Sequence, residues 1–95
     1  MTLVSPTNNQ SFTAGNSIQI VANATDNDKV SELHIHVNNL TTGLSIKDVH
    51  AYPASPTFTI KDSVTAQGAT DYIIRIMAYD AKRNLASSQV EVRSN

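Results

Sequence analysis

The chain has no cysteine, no tryptophan, two glutamates and three glycines, and only 16% of its 95 residues are charged. The missing cysteines exclude a disulfide scaffold and a cysteine-ligated zinc ribbon. Seven basic residues stand against eight acidic ones, spread along the chain, for a net charge of −1. That balance lacks the basic footprint of a nucleic-acid binder and the charge excess of a disordered tail. No apolar run approaches the roughly 20 residues that span a bilayer, so no membrane insertion by this domain is expected. Without tryptophan, and with only Tyr52, Tyr72 and Tyr79, the chain is poorly equipped to stack on sugars.

What is present points one way. Eight Val, eight Ile and ten Thr are β-branched types that pack well on a pleated surface. Ten Ser, ten Thr and nine Asn supply turns and solvated strand faces. Long helix formers are scarce, so the chain reads as all-β and, at 95 residues, as one domain. Met1 leads directly into Thr2-Leu3-Val4 with no apolar signal core, as in a domain cut from a longer chain with the Met added, a native cytosolic start being the alternative.

Alternation and turn signals divide the chain. Thr2–Ser5 is a short extended piece before Pro6, and Ser11–Thr13 lies between turns at 8–10 and 14–16. Ser17–Asp26 points Ile18, Ile20, Ala22 and Ala24 to one face, and a turn is predicted at Asp26–Lys29. Val30–Asn38 then points Leu33, Ile35 and Val37 inward and Glu32, His34 and His36 outward. A hairpin loop at 39–43 leads to a weaker strand at 44–51. Its register stays open, because Leu44 and Ile46 favour one parity and Val49 and Ala51 the other. Residues 52–56 are predicted to break the chain at Pro53 and Pro56, before a short strand at 57–62 with Phe58 and Ile60 inward. Asp71–Asp80 is the strongest strand, with Tyr72, Ile74, Ile76 and Ala78 inward, and Leu85–Arg93 closes the series with Val90 and Val92 inward. About seven antiparallel strands with turns every 8–12 residues predict an immunoglobulin-like β-sandwich, with a small barrel as the alternative.

Three segments carry a resemblance. Val4-Ser5-Pro6-Thr7-Asn8-Asn9, followed by Phe12, Gly15 and Ile18–Ala22, resembles the opening of bacterial immunoglobulin-like modules. Ala24–Val30 is similar to their Ala-x-Asp-x-Asp-Gly-x-Val corner, with Lys29 in place of Gly. Tyr72–Asn84 is similar to their Tyr-x-Ile-x-Ala-x-Ala-x-Asp-x-x-Gly-Asn strand, with Arg83 in place of Gly. Glycine at a turn supplies φ > 0 without steric cost, so both corners are expected to be altered. The resemblance implies a spacer or adhesion module of a secreted or surface-anchored bacterial protein, outside the cell or in its envelope. It implies neighbouring domains of the same chain as partners.

Three groups of residues are candidate sites. In this topology the loops after the second and sixth strands of the sandwich share one end, which would bring Asp26 and Asp28 to Asp80, with Asn27 and Asn84 nearby. Calcium takes six to eight oxygens, so this end is a candidate calcium site; the competing role is Asp26 and Asp80 capping backbone N–H groups of their own turns. His34 and His36, two apart on a strand, share a face and could hold zinc or copper if Asp48 or His50 arrives from across the 39–43 hairpin. With Asn38 opposite Leu44, His34 would face Asp48 and Glu32 would face His50; the competing role is two solvated histidines. Third, Ile73, Met77 and Tyr79 join His34 and His36 on one outer sheet face, a candidate surface for a protein or glycan partner unless neighbouring modules cover it. No Gly-x-Ser-x-Gly elbow, phosphate loop or His-Glu-x-x-His occurs, and a sandwich this small offers no obvious deep cleft. The expectation is a monomeric, non-catalytic structural or adhesion module, with a ligand-binding module using one of the candidate sites as the alternative.

Overall fold

Places where the period-2 pattern changes parity are where this fold bends. The computed structural model describes residues 2–95, so Met1 lies outside the described residues. Its longest element is β3 (Ser17–Asn39), which runs on through the predicted turn at 26–29. The core-facing positions of β3 are even-numbered up to Val30 and odd-numbered from Leu33. The switch falls at Ser31, an extra residue between the pairs Val30↔Asp80 and Glu32↔Tyr79. One extra residue in one strand flips the faces beyond it. The Ser31 hydroxyl donates to the Asp80 carbonyl at 3.0 Å, which satisfies a backbone group at the bulge.

The two halves of β3 serve two layers. The first half pairs with β1 (Thr2–Ser5) on one side and with β5 (Ser55–Thr65) on the other. The second half pairs with β4 (Ser45–Ala51) and β6 (Thr70–Asp80). Beyond β6 come β7 (Leu85–Ser94) and the two-residue β2 (Ser11–Phe12). Because β3 belongs to both layers, the seven strands form one curled sheet folded into a sandwich. Of the pairings, β2–β7 is parallel and the others are antiparallel, a departure from the all-antiparallel expectation.

Between the layers lie Ile18, Ile20, Leu33, Ile35, Val37, Ile74, Ile76 and Val92, all fully buried. Removing one such side chain to Ala would cost about 2–5 kcal/mol. The open side of the sandwich is tied by Lys47 of β4, whose ammonium donates to Asp62 of β5 at 2.6 Å and to the Ser63 carbonyl at 3.0 Å. Burial pushes the Asp62 carboxyl up, but the bonds from Lys47 and the Ser63 N–H outweigh it and hold it below the usual carboxylate range. The predicted break at 52–56 is shorter than expected, since β5 starts at Ser55 and contains Pro56. Among the described residues β5 is an edge strand, paired only with β3, and an edge tolerates a residue that cannot donate.

Tyr72 combines core and turn. Its ring is buried, and its hydroxyl accepts the Gln67 N–H at 2.9 Å, closing the turn before β6. Tyr72→Phe should therefore keep the fold and lose about 1–2 kcal/mol, the cost of a partly buried N–H left unpaired. For a domain this size that is a fall in Tm of roughly 5–15 °C. An unchanged melting curve would show that the bond contributes nothing.

Candidate metal centre

The 39–43 loop returns the chain with a defined offset. The Asn39 carboxamide oxygen accepts the N–H groups of Thr41 and Thr42, and Gly43 takes φ 74°, a conformation in which glycine carries no Cβ penalty. Ile46 is an extra residue between Val37↔Lys47 and Asn38↔Ser45. That bulge resolves the conflict of parity in this segment: Val49 and Ala51 pack on the core, while Leu44 and Ile46 are exposed. The bulge and the pairing of Asn38 with Ser45 rather than Leu44 each move the register by one residue, so beyond Ile46 it lies two residues from the expected one. His34 faces His50 rather than Asp48, and His36 faces Asp48. A shift of two preserves the face, so all four side chains stay on the same outer surface.

The three imidazoles converge. Ring centroids lie 3.9 Å apart for His34 and His50, 5.8 Å for His34 and His36, and 6.3 Å for His36 and His50. One nitrogen of each falls within 4.8 Å of the others. Asp48 Oδ1 sits between two of them, 3.1 Å from His36 Nε2 and 3.0 Å from His50 Nε2. His36 Nε2 is shielded from solvent and makes no hydrogen bond, since the approach of Asp48 lacks hydrogen-bond geometry.

On the other flank Glu32 bonds His34 through Oε2 and accepts Arg83 Nη1 on Oε1 at 3.0 Å. His34 and Arg83 together hold the Glu32 carboxyl below its usual range. The Arg83 guanidinium also covers the Tyr79 ring at 4.7 Å. Contrary to the expected register, His50 on β4 faces His34 and not Glu32, whose partner on the β6 side is Tyr79. The candidate face residues follow the β3–β6 pairing, with Met77 opposite His34 and Ile73 opposite Asn38, and all of them are half-buried.

The acidic end is assembled as the topology requires. Asp26, Asn27, Asp28, Asp80, Lys82 and Asn84 line one hollow. An adjoining, mainly apolar cavity of about 160 Å³ shares Asp26, Asp80 and Asn84 with it. Asp26 Oδ2 accepts the N–H groups of Asp28 and Lys29, at 3.0 and 3.1 Å. Asp80 Oδ1 accepts those of Lys82 and Asn84, and its Oδ2 accepts Asn84 Nδ2. These carboxylates thus cap the turns of their own loops, beside the Lys82 cation. The second corner is not altered by its missing glycine: Arg83 itself takes φ 66°, the conformation expected of Gly. Its ion pair and its ring contact offset the strain of that conformation.

The family follows from comparison. The chain belongs to the bacterial Ig domain family, whose model matches residues 1–93. Among solved structures it resembles fibronectin(III)-like modules of CbhA from Clostridium thermocellum, with TM-score 0.61 and 21% identity over 97% of this chain and 93% of that one. It also resembles a superoxide reductase (neelaredoxin) from Ignicoccus hospitalis, with TM-score 0.65 and 10% identity over 99% of this chain and 79% of that one. A variant form of that reductase gives TM-score 0.68, also at 10% identity, over 99% of this chain and 78% of that one. At such identities the likeness is one of fold. No curated protein matches the chain.

Two outcomes test the acidic end. Bonds from the Asn84 side chain and from backbone N–H groups lower the Asp80 carboxyl below its ordinary 3.8. Its stabilisation is therefore complete above about pH 4 and disappears as pH falls through the lower folded value. Thermal melts between pH 2 and 6 should show a shallower acid loss for Asp80→Asn than for the parent; parallel curves would remove Asp80 from the account. At the neighbouring position, Arg83→Ala keeps a Cβ at positive φ while losing both contacts. It should be less stable than Arg83→Gly by about 1 kcal/mol, and the reverse order would show that φ strain is not limiting there.

Proposed function

We infer that this domain is a non-catalytic structural module of an exported bacterial protein, working as a stiff spacer between neighbouring domains of the same chain. One observation carries the reading. β1 begins opposite Asn23, toward the acidic end, and β7 finishes opposite Thr70, at the other end of a body 42 Å long and 21 × 17 Å across. The long axis follows the strands, since the 11 residues of β6 alone extend for roughly 35 Å. Domains attached before β1 and after β7 are thus held apart by most of that length.

The parallel pairing of β2 with β7 suits this role. Asn9 N–H donates to Glu91 O, Arg93 N–H to Gln10 O and Asn95 N–H to Phe12 O, at 2.7 to 3.0 Å. Tension applied through both ends loads these bonds together, in shear, rather than one after another. Membership of the bacterial Ig domain family and likeness to fibronectin(III)-like modules support placement outside the cell or in its envelope. Among the motifs of catalysis none stands in the sequence, and the superoxide reductases are neighbours in fold.

A tandem fusion of two copies, Asn95 joined to Thr2, tests the spacer reading by small-angle X-ray scattering. The account predicts an extended particle close to twice the 42 Å length of one copy. A particle folded back to near the length of one copy would contradict it.

A further inference from the structure

We propose that His34, His36, His50 and Asp48 bind one late first-row divalent cation, with Zn²⁺ as the reference ion, and that the bound ion clips edge strand β4 to β3. The site does not depend on the spacer reading. Three imidazoles and one carboxylate form a donor set for zinc, copper or nickel, whereas calcium and magnesium favour all-oxygen cages. The spacing fits. With metal–ligand bonds of about 2.0–2.1 Å, neighbouring ligands of a tetrahedral site lie about 3.4 Å apart. His36 Nε2 and His50 Nε2 already stand 3.1 and 3.0 Å from the same Asp48 oxygen. The third imidazole has a nitrogen within 4.8 Å of the other two, so ring rotations on the order of 1 Å close the set.

Two further features point to an ion. His36 Nε2 is a solvent-shielded nitrogen with no hydrogen bond, a cost that coordination would remove. His34 is already oriented by a carboxylate, Glu32, itself fixed by Arg83, the arrangement in which one ring nitrogen is anchored while the other binds a metal. The ligands come from both strands, two from β3 and two from β4, and among the described residues β4 has no other strand partner. His50 and Asp48 keep an open side toward solvent, at 40% and 51% side-chain exposure, through which an ion can enter.

All three histidines of the chain lie in this cluster, so imidazole binding elsewhere cannot mimic it provided that no affinity tag is present. The tag-free chain, stripped with chelator, is titrated calorimetrically with Zn²⁺ and with Ca²⁺, and melted in each. The proposal predicts one Zn²⁺ per chain and a rise in Tm on the order of 10 °C at about 100 times Kd. It predicts no change with Ca²⁺. His50→Gln and His36→Gln should fold with melting temperatures near that of the metal-free parent and bind Zn²⁺ at least about tenfold more weakly. No saturable Zn²⁺ binding, or Zn²⁺ affinity in both variants equal to that of the parent, would overturn the site. A Tm rise with Ca²⁺ of the same size would overturn its selectivity and direct attention to the Asp26–Asp80 end.

Discussion

The structure depends on a single strand serving two layers. β3 runs for 23 residues, and its halves hydrogen-bond to different neighbours on opposite sides of the core. An isolated layer of this domain would be a small sheet with one apolar face exposed, which is marginal in water. Sharing β3 ties the layers together, because both are hydrogen-bonded to the two halves of one covalently continuous strand. The cost of the arrangement is local: a bulge at Ser31, which re-aims every later side chain of the strand so that Leu33, Ile35 and Val37 meet the core from the other side.

From that constraint the functional features follow. The same flip that sends the odd positions inward sends His34 and His36 outward, beside Glu32 and along β6. The Ile46 bulge then adjusts β4 so that Asp48 and His50 share their surface. Both ends of the domain are shaped by β3 as well. Its central corner, with Asp26 capping the backbone at Asp28 and Lys29, forms one pole with the Asp80–Asn84 turn, while Ser17 and Asn39 approach the other. A body stiffened along its strands and attached at opposite poles is suited to keeping other domains apart.

Much of this was legible in the sequence because it rests on period-2 alternation. The inward sets of Ser17–Asp26, Val30–Asn38 and Asp71–Asp80 are the buried sets of the structure, including Tyr72. The seven-strand count and the family resemblance rest on the same residues. What escaped were the events that occupy a single residue. The segment 26–29 reads as a turn because Asp, Asn and Lys favour turns; in the structure it is an unpaired bulge inside one strand, between Thr25↔Thr57 and Val30↔Ser55, and the parity change sits two residues later, at Ser31. Between Leu44 and Ala51 the clash of parities was visible, but nothing in the residue types located the bulge at Ile46. That bulge, added to the pairing of Asn38 with Ser45 rather than Leu44, places His34 opposite His50, two residues from the expected register. Arg83 departs differently: the resemblance, with Arg83 in place of Gly, implies a changed corner, whereas Arg83 itself occupies φ 66° and makes tertiary contacts to Glu32 and Tyr79.

The account's central claim is that β3 makes the two layers one cooperative unit. Native-state amide hydrogen exchange, read residue by residue as a function of denaturant, tests it most directly. The claim predicts that Ile20 and Ala22 in the first half of β3, and Ile35 and Val37 in the second, exchange only through global unfolding and share one opening free energy. Opening of either half at a free energy several kcal/mol below the other would contradict it. The sandwich would then be two layers that merely touch.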